Sequence, residues 1–356
     1  MAKRISFFIG TMHGGGAERV ISILANHYCK KGWDVDICLL LENKVQYELN
    51  REIRIVDLTQ GKGPYYKNAV RWMKAIRKHV RQSKPDVIVS FIGRINALVI
   101  LACLGINIPI VVSERNDPKN DGRNKAELVI CNWCYKRAEA VVYQTEYEKS
   151  CFSKRLNNGV IIGNPVEVLI KPMPVKRQFE IVTAGRLLPQ KNQEVLIRAA
   201  ASIRKTNPDV TLKIYGDGKL RTDLQALIES LGASDYITLL GNIKNLHRRI
   251  NGTGVFVLCS EFEGLSNALI EAMMLGIPCI STNYPGANEI ITHGENGLIV
   301  PMNDTDRLAE AITCIFDDSA LRSRLVDGAL KASERFEKSR VLIEWDRVIE
   351  GAVSSR

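Results

Sequence analysis

Short apolar runs alternate along the whole chain with longer stretches in which apolar residues recur at steps of three and four. That alternation predicts parallel sheets with crossover helices. In the first half it predicts strands near 4–9, 34–41, 86–91, 109–113, 139–144 and 159–162, separated by helices near 16–31, 64–82, 95–105, 123–137 and 145–153. The rhythm then restarts, with strands near 179–184, 210–215, 236–240, 254–259, 278–281 and 297–300 and helices near 191–206, 219–232, 266–275, 304–316, 318–334 and 338–352. Between the halves, Asn164-Pro165, Pro172, Pro174 and Lys176-Arg177 interrupt any regular element and mark a hinge. The expected architecture is α/β, with two Rossmann-like, doubly wound parallel-sheet domains facing a cleft. They are expected at residues 1–165 and 166–337, with a last helix near 338–356 packing back on the first. Ligands of such sheets bind outside the carboxyl ends of the strands.

A length of 356 residues fits two domains. No run approaches the roughly 20 apolar residues that span a bilayer. The apolar run Ile5 to Ile9 is too short for a signal-peptide core. The expected location is therefore the cytoplasm. The nine cysteines are odd in number and scattered, which fits that compartment. Cys131 and Cys134 form a lone C-x-x-C with no second pair or histidines at zinc-ligand spacing, and are read as neighbours on a helix. Asp34-Val35-Asp36 has the form D-x-D but opens a strand, and is read as strand-edge polarity rather than a metal motif.

Charge changes the picture. Residues 1–165 hold 26 Lys and Arg against 15 Asp and Glu, whereas residues 166–356 are almost balanced, so the whole excess of the net +10 lies in the first half. Within it, residues 62–84 carry Lys62, Lys67, Arg71, Lys74, Arg77, Lys78, Arg81 and Lys84 and no acid. Tyr66, Val70, Met73, Ile76 and Val80 recur there at helical steps. The segment predicts a basic amphipathic helix that suits an anionic membrane surface. The plainer reading is a core-packed helix with a solvated basic face. No recognition motif accompanies the charge, and nucleic acid is not expected.

The candidate chemistry clusters after strand ends. Gly14, Gly15 and Gly16, followed by Ala17-Glu18-Arg19, open the first helix. Glycines there let backbone N–H groups approach an anion at a helix N-terminus. The run is not G-x-G-x-x-G, and a dinucleotide fingerprint is a poor match. In the second half Arg186 and Lys191 follow a strand and suit a diphosphate that gains charge as it leaves. Gly216, Asp217 and Gly218 end the next strand, and Gly241-Asn242-Ile243 the one after, where backbone groups can meet a planar base. The most specific segment runs from Glu261 to Glu271. Glu263 lies on a turn, and Glu271 lies eight positions further on inside a helix. Carboxylates at that separation can accept from hydroxyls at two ends of an extended ligand. The amides of Leu265, Ser266 and Asn267 lie at the helix start and suit a phosphate.

With these residues in order, the chain resembles the family-4 glycosyltransferases of the GT-B fold over nearly its full length. The marks are Gly14 to Arg19, Asn164-Pro165-Val166, Gly185-Arg186-Leu187 with Lys191, Gly216 to Gly218, Glu263 to Glu271 as E-x₇-E, Pro285 to Ile290 and Asn296 to Val300. The resemblance implies that Arg186 and Lys191 hold the donor diphosphate, Glu271 the ribose, and that Glu263 lies against the donor sugar. It implies that the glycine loop approaches the phosphates and the acceptor, that anomeric configuration is retained, and that no metal ion or other cofactor is needed. The donor is expected to be a UDP-sugar. The similarity is greatest to bacterial enzymes that extend glycans on polyprenyl-diphosphate carriers, which places the protein peripherally on the inner face of the cell membrane. One departure stands out. Many members carry a histidine where this chain has Arg115, within Ser113-Glu114-Arg115. Arginine cannot serve as a base. Arg115 and Glu114 are expected instead to contact the acceptor, as is His13 beside the glycine loop. A UDP-sugar epimerase of the same architecture and a non-catalytic nucleotide-sugar binder are the competing readings.

Overall fold

The computed structural model describes residues 2–59 and 65–355, with the side chains of the helix at 65–83 described from residue 68 onward. Lys62 and the side chains of Tyr66 and Lys67 lie outside the described residues. The chain divides into two compact units, Met1–Pro165 with Lys338–Arg356, and Val166–Glu337.

The first unit runs β1 (Arg4–Ile9), α1 (Gly16–Lys30), β2 (Asp34–Leu39), β3 (Arg54–Asp57), α2 (Tyr65–Ser83), β4 (Val87–Phe91), α3 (Gly93–Ala102), β5 (Ile110–Ser113), α4 (Lys125–Tyr135), β6 (Ala140–Tyr143), α5 (Glu146–Ser150) and β7 (Gly159–Ile161). Its sheet has seven strands in the order β3-β2-β1-β4-β5-β6-β7, all parallel. The order reverses between β1 and β4, which opens a crevice at their carboxyl ends. Strand residues are buried on both faces, as parallel strands covered by helices require. One face packs on α2, α3 and α4 through Trp72, Ile76, Leu98, Cys131 and Cys134. The other packs on α1 and on the last helix of the chain, whose Trp345 stacks on Phe91 at 5.9 Å between ring centroids.

The second unit runs β8 (Arg177–Ala184), α6 (Gln193–Arg204), β9 (Thr211–Tyr215), α7 (Arg221–Ser230), β10 (Ile237–Gly241), α8 (Leu246–Ile250), β11 (Thr253–Leu258), α9 (Asn267–Met274), β12 (Cys279–Thr282), α10 (Pro285–Asn288), β13 (Leu298–Val300), α11 (Thr305–Asp317) and α12 (Ser319–Ser333). The final helix, α13 (Lys338–Ser354), belongs to the first unit. Six parallel strands follow the order β10-β9-β8-β11-β12-β13, with the reversal between β8 and β11.

The apolar pattern anticipated these elements except three short ones. β3 is only four residues long and mostly exposed, so it carries no alternating pattern. α8 and α10 span five and four residues, too few for a helical period to emerge. The basic helix α2 forms, with one correction to its apolar face. Trp72, not Val70, continues the buried stripe with Ile76 and Val80, and Val70 points outward beside Arg71 and Lys74. Arg77 is drawn inward, donating to the carbonyls of Ala102 and Leu104 at 2.7 and 2.8 Å. Cys131 and Cys134 are free thiols buried under α4, neighbours on one helix. Asp34 and Asp36 are both paired with Arg54, which accounts for D-x-D without a ligand.

Candidate active site

Every strand of the second unit points the same way, so the loops after β8, β9, β10 and β11 all emerge on one edge of the sheet. Arg186 and Lys191 follow β8, Asp217 follows β9, Ile243 follows β10, and Glu263 follows β11. β8 and β11 are the two strands that flank the reversal. Lys191 sits at the end of a short 3₁₀ turn, Pro189–Lys191, and its ammonium is paired with Glu263 across that crevice. Ser260 donates its hydroxyl to the same Glu263 oxygen. The two loops are also joined by backbone, since the Glu261 N–H donates to the Gln190 carbonyl at 2.9 Å. Arg186 is exposed, and among the described residues no carboxylate pairs with it.

Glycines make this edge possible. A Cβ on Gly216 (φ +121°) would lie 1.9 Å from the Gly185 carbonyl oxygen, and one on Gly218 would lie 2.4 Å from that of Leu187. The turns after β8 and β9 thus interlock backbone to backbone, fixed by Gly185 N–H to Tyr215 O at 2.9 Å and Leu187 N–H to Asp217 O at 3.0 Å. Gly286 plays the same part under the acidic segment, where a Cβ would lie 1.8 Å from the Gly264 carbonyl oxygen. These glycines hold the loops that present Arg186 and Glu263.

The helix α9 starts at the carboxyl edge, with Ser266 at its N-cap and Leu265 and Ser266 both buried. Its first-turn amides give a local positive pole. Glu271 lies one to two turns further along, buried, with His247 Nε2 at 3.2 Å from its carboxylate. His247 comes from α8, and the sequence reading did not name it. Its one signal was position, a histidine close after the glycine that ends β10, and a five-residue helix hides that in the sequence.

In the first unit the glycine loop follows β1. Gly14 is left-handed (φ +72°), Gly15 is the N-cap of α1, and the Tyr47 hydroxyl donates to the Gly15 carbonyl at 2.7 Å. His13 is exposed beside it. Across the β1/β4 crevice, Ile92 adopts φ +76°, which a β-branched side chain rarely does. Strain of that kind costs roughly 1–3 kcal/mol and gathers at functional sites. It borders a cavity of about 510 Å³ lined by Gly10, Thr11, Ile92, Arg94, Asn116 and Asp121 among others.

Glu114 and Arg115 are placed otherwise than expected. Both are buried. Arg123 grips Glu114 through two hydrogen bonds of 2.9 Å, and the Tyr135 hydroxyl donates to it as well. The Arg115 guanidinium donates to Ser113 Oγ at 2.7 Å and Asn164 Oδ1 at 3.0 Å, and lies 5.4 and 5.3 Å from the ring centres of Phe91 and Trp345. Burial lowers its pKa to about 10, which still leaves it charged at neutral pH. Glu114 is thus held inside the unit, whereas one terminal nitrogen of the Arg115 guanidinium has no hydrogen-bond partner among the described residues. Arg115 ties β5, the Asn164-Pro165 segment and α13 together.

Comparison with known proteins agrees with this layout. The model described as Glycosyltransferase Family 4 matches residues 14–168, and that described as Glycosyl transferases group 1 matches residues 170–332. The chain belongs to the family-4 glycosyltransferases. A Campylobacter jejuni relative, named GalNAc-alpha-(1->4)-GalNAc-alpha-(1->3)-diNAcBac-PP-undecaprenol alpha-1,4-N-acetyl-D-galactosaminyltransferase, is 29% identical over 97% of this glycosyltransferase and 98% of its own length. A second from the same organism, an N-acetylgalactosamine-N,N'-diacetylbacillosaminyl-diphospho-undecaprenol 4-alpha-N-acetylgalactosaminyltransferase, is 25% identical over 95% of this chain and 97% of its own. Anabaena HepE, solved in complex with UDP, superposes with a TM-score of 0.84 at 19% identity, covering 98% of this chain and all of that one. The fold is GT-B.

Proposed function

We propose that this glycosyltransferase moves a hexose or N-acetylhexosamine from a UDP-sugar to a sugar on a polyprenyl-diphosphate carrier, in the synthesis of a bacterial surface glycan or glycoprotein glycan. Anomeric configuration is retained and no metal ion takes part. The observation that carries this reading is the Lys191–Glu263 pair spanning the β8/β11 crevice, in the same unit as exposed Arg186 and buried Glu271. The names of the Campylobacter relatives supply the acceptor class.

In this mechanism the donor diphosphate lies against Arg186, Lys191 and the amino end of α9, with the base beside Gly216, Asp217 and Ile243. Lys191 exchanges its carboxylate for phosphate, and the freed Glu263 accepts from a sugar hydroxyl. Glu271, steadied by His247, accepts from the ribose. As the C1–O bond breaks, charge growing on the diphosphate is met by two fixed cations and a helix pole, the role a metal has elsewhere. The acceptor sugar enters from the first unit, at the cavity bounded by Ile92 and Asn116 and near His13 and the glycine loop. The basic face of α2, formed by Arg71, Lys74, Lys78 and Arg81, with Lys84 just beyond its end, rests on the anionic inner surface of the cell membrane. No helix among the described residues is long and apolar enough to cross a membrane.

The test is incubation of the purified protein with a panel of UDP-sugars and a polyprenyl-diphosphate-linked sugar. Labelled product is expected on the lipid. An altered free nucleotide sugar with no lipid product would show an epimerase instead. Arg186→Ala should lower turnover by roughly 10²-fold or more, as loss of one fixed electrostatic donor does. Unchanged turnover in that variant removes the diphosphate assignment.

A further inference from the structure

We infer that α4, rather than the basic helix α2, is the element that enters the lipid surface, with Val129, Ile130 and Trp133 as its inserted side chains. This rests on the proposed lipid-linked acceptor. α2 buries its own apolar stripe, Trp72, Ile76 and Val80, in the core, and among its described apolar side chains only Val70 is mostly exposed. Its described side chains supply charge and almost nothing to insert. α4 is built the other way round. Cys131, Cys134 and Tyr135 face inward, whereas Val129, Ile130 and Trp133 are 67%, 47% and 44% exposed. Positions 129, 130 and 133 share one side of a helix, and Ala126 lies among them, also exposed. Single exposed apolar residues are ordinary, but several on one face mark a surface that meets something.

Charge says what that something is. Lys125 and Lys136 border the apolar stripe, and Arg137 lies over the Trp133 indole at 3.5 Å from its centre. The one acid of α4, Glu127, is taken up by Arg94 at 2.7 Å. α2, α3 and α4 form a single layer on the same face of the sheet, so the basic face of α2 and the apolar face of α4 belong to one side of the unit. Between them, Leu104 at the end of α3 is a further exposed apolar residue. Tryptophan and short aliphatics ringed by lysine and arginine are the composition of an interfacial helix on anionic lipid. A soluble partner of that chemistry would need its own extended acidic rim, which an anionic bilayer offers everywhere.

Co-sedimentation with vesicles tests this. Wild-type protein should bind phosphatidylglycerol vesicles and bind phosphatidylcholine vesicles weakly. V129S/I130S/W133S should lower partitioning into phosphatidylglycerol about tenfold or more, given about 0.8 kcal/mol per inserted CH₂. These side chains are exposed, so the unfolding midpoint should stay near wild type, which checks that the variant is folded. Undiminished binding by the folded triple variant overturns the inference. So does a wild-type dimer in lipid-free solution that the triple variant abolishes, since a second copy would then be the occupant. Transfer to an acceptor embedded in vesicles should fall in the variant, while transfer to a short-chain, water-soluble analogue should not. If wild type uses neither acceptor but binds vesicles through α4, the acceptor reading fails and the docking surface stands.

Discussion

The two units solve the same layout problem with charged residues in opposite ways. Each is a doubly wound parallel sheet whose strand order reverses once, and each places ionisable side chains just past the carboxyl ends of its strands. In the second unit those residues stay at the rim. Lys191 and Glu263 pair across the crevice, and Arg186 remains exposed. In the first unit, Glu114 and Arg115 follow β5 and turn inward, where Arg123, Tyr135, Asn164 and Trp345 absorb them. A charge after a strand end is therefore not enough to mark a ligand site. What decides is whether the fold buries it among its partners or leaves it at the rim.

The sharpest way to break that contrast is to remove a partner. Arg123 and Glu114 side chains are each 1% exposed, so Arg123→Ala leaves a carboxylate buried without its cation. Loss of one member of a buried pair costs about 3–5 kcal/mol. Urea unfolding should show that loss for Arg123→Ala and almost none for Arg186→Ala, whose side chain is at the surface. An unmoved midpoint in Arg123→Ala would mean that Glu114 is not held as the structure has it.

Glycines give a second, smaller contrast. Gly216→Ala sets a Cβ against a backbone carbonyl that interlocks two turns, 1.9 Å away, and at a φ of +121°. Neither side can give, and a cost of about 1–3 kcal/mol with weakened UDP binding is expected. Gly14→Ala in the first unit meets only the far end of Gln46 at 2.7 Å, which can swing aside. It should lose about 1–2 kcal/mol, the left-handed backbone term alone. Equal losses at the two positions, measured by the same unfolding assay, would remove the distinction between an interlocked loop and an open one.

The same contrast explains what the sequence disclosed. The second-unit candidate site was legible because its residues stand close together in sequence. Arg186 and Lys191 lie within one turn region, and Glu263 and Glu271 lie at two ends of one loop and helix. In the first unit, apart from the neighbouring Ser113, the partners of Glu114 and Arg115 come from 9 to 230 residues away in sequence, and no local pattern announces them. His247 was missed for the same reason, as its meaning depends on Glu271, 24 positions later. The long elements were plain from apolar periodicity. On α2 that periodicity misled at Val70, because Trp72 has the larger apolar surface and took the core position.

The smallest expected effect concerns α13, the one element that joins its unit from the far end of the chain. Asp346 on α13 lies 3.0 Å from His27 Nε2 and 3.0 Å from Lys31 Nζ, both on α1. Partial burial pushes its carboxyl up, but the hydrogen bonds from Lys31 and His27 outweigh that and hold it below the usual aspartate range. A depressed folded-state pKa means that the unfolded chain takes up the proton first as pH falls. The contribution is therefore fully present above the unfolded value of about 3.9 and is lost as pH falls through the lower folded value. Asp346→Asn should lower stability by about 0.5–1 kcal/mol at pH 7, the scale of a partly exposed pair. The gap from wild type should be smaller at a pH low enough to protonate the wild-type carboxyl, below its lowered folded value. A gap that stays the same at both pH values would show that Asp346 holds α13 by shape and not by charge, as part of the apolar packing of Val341, Trp345 and Ile349 that fastens this helix to its unit.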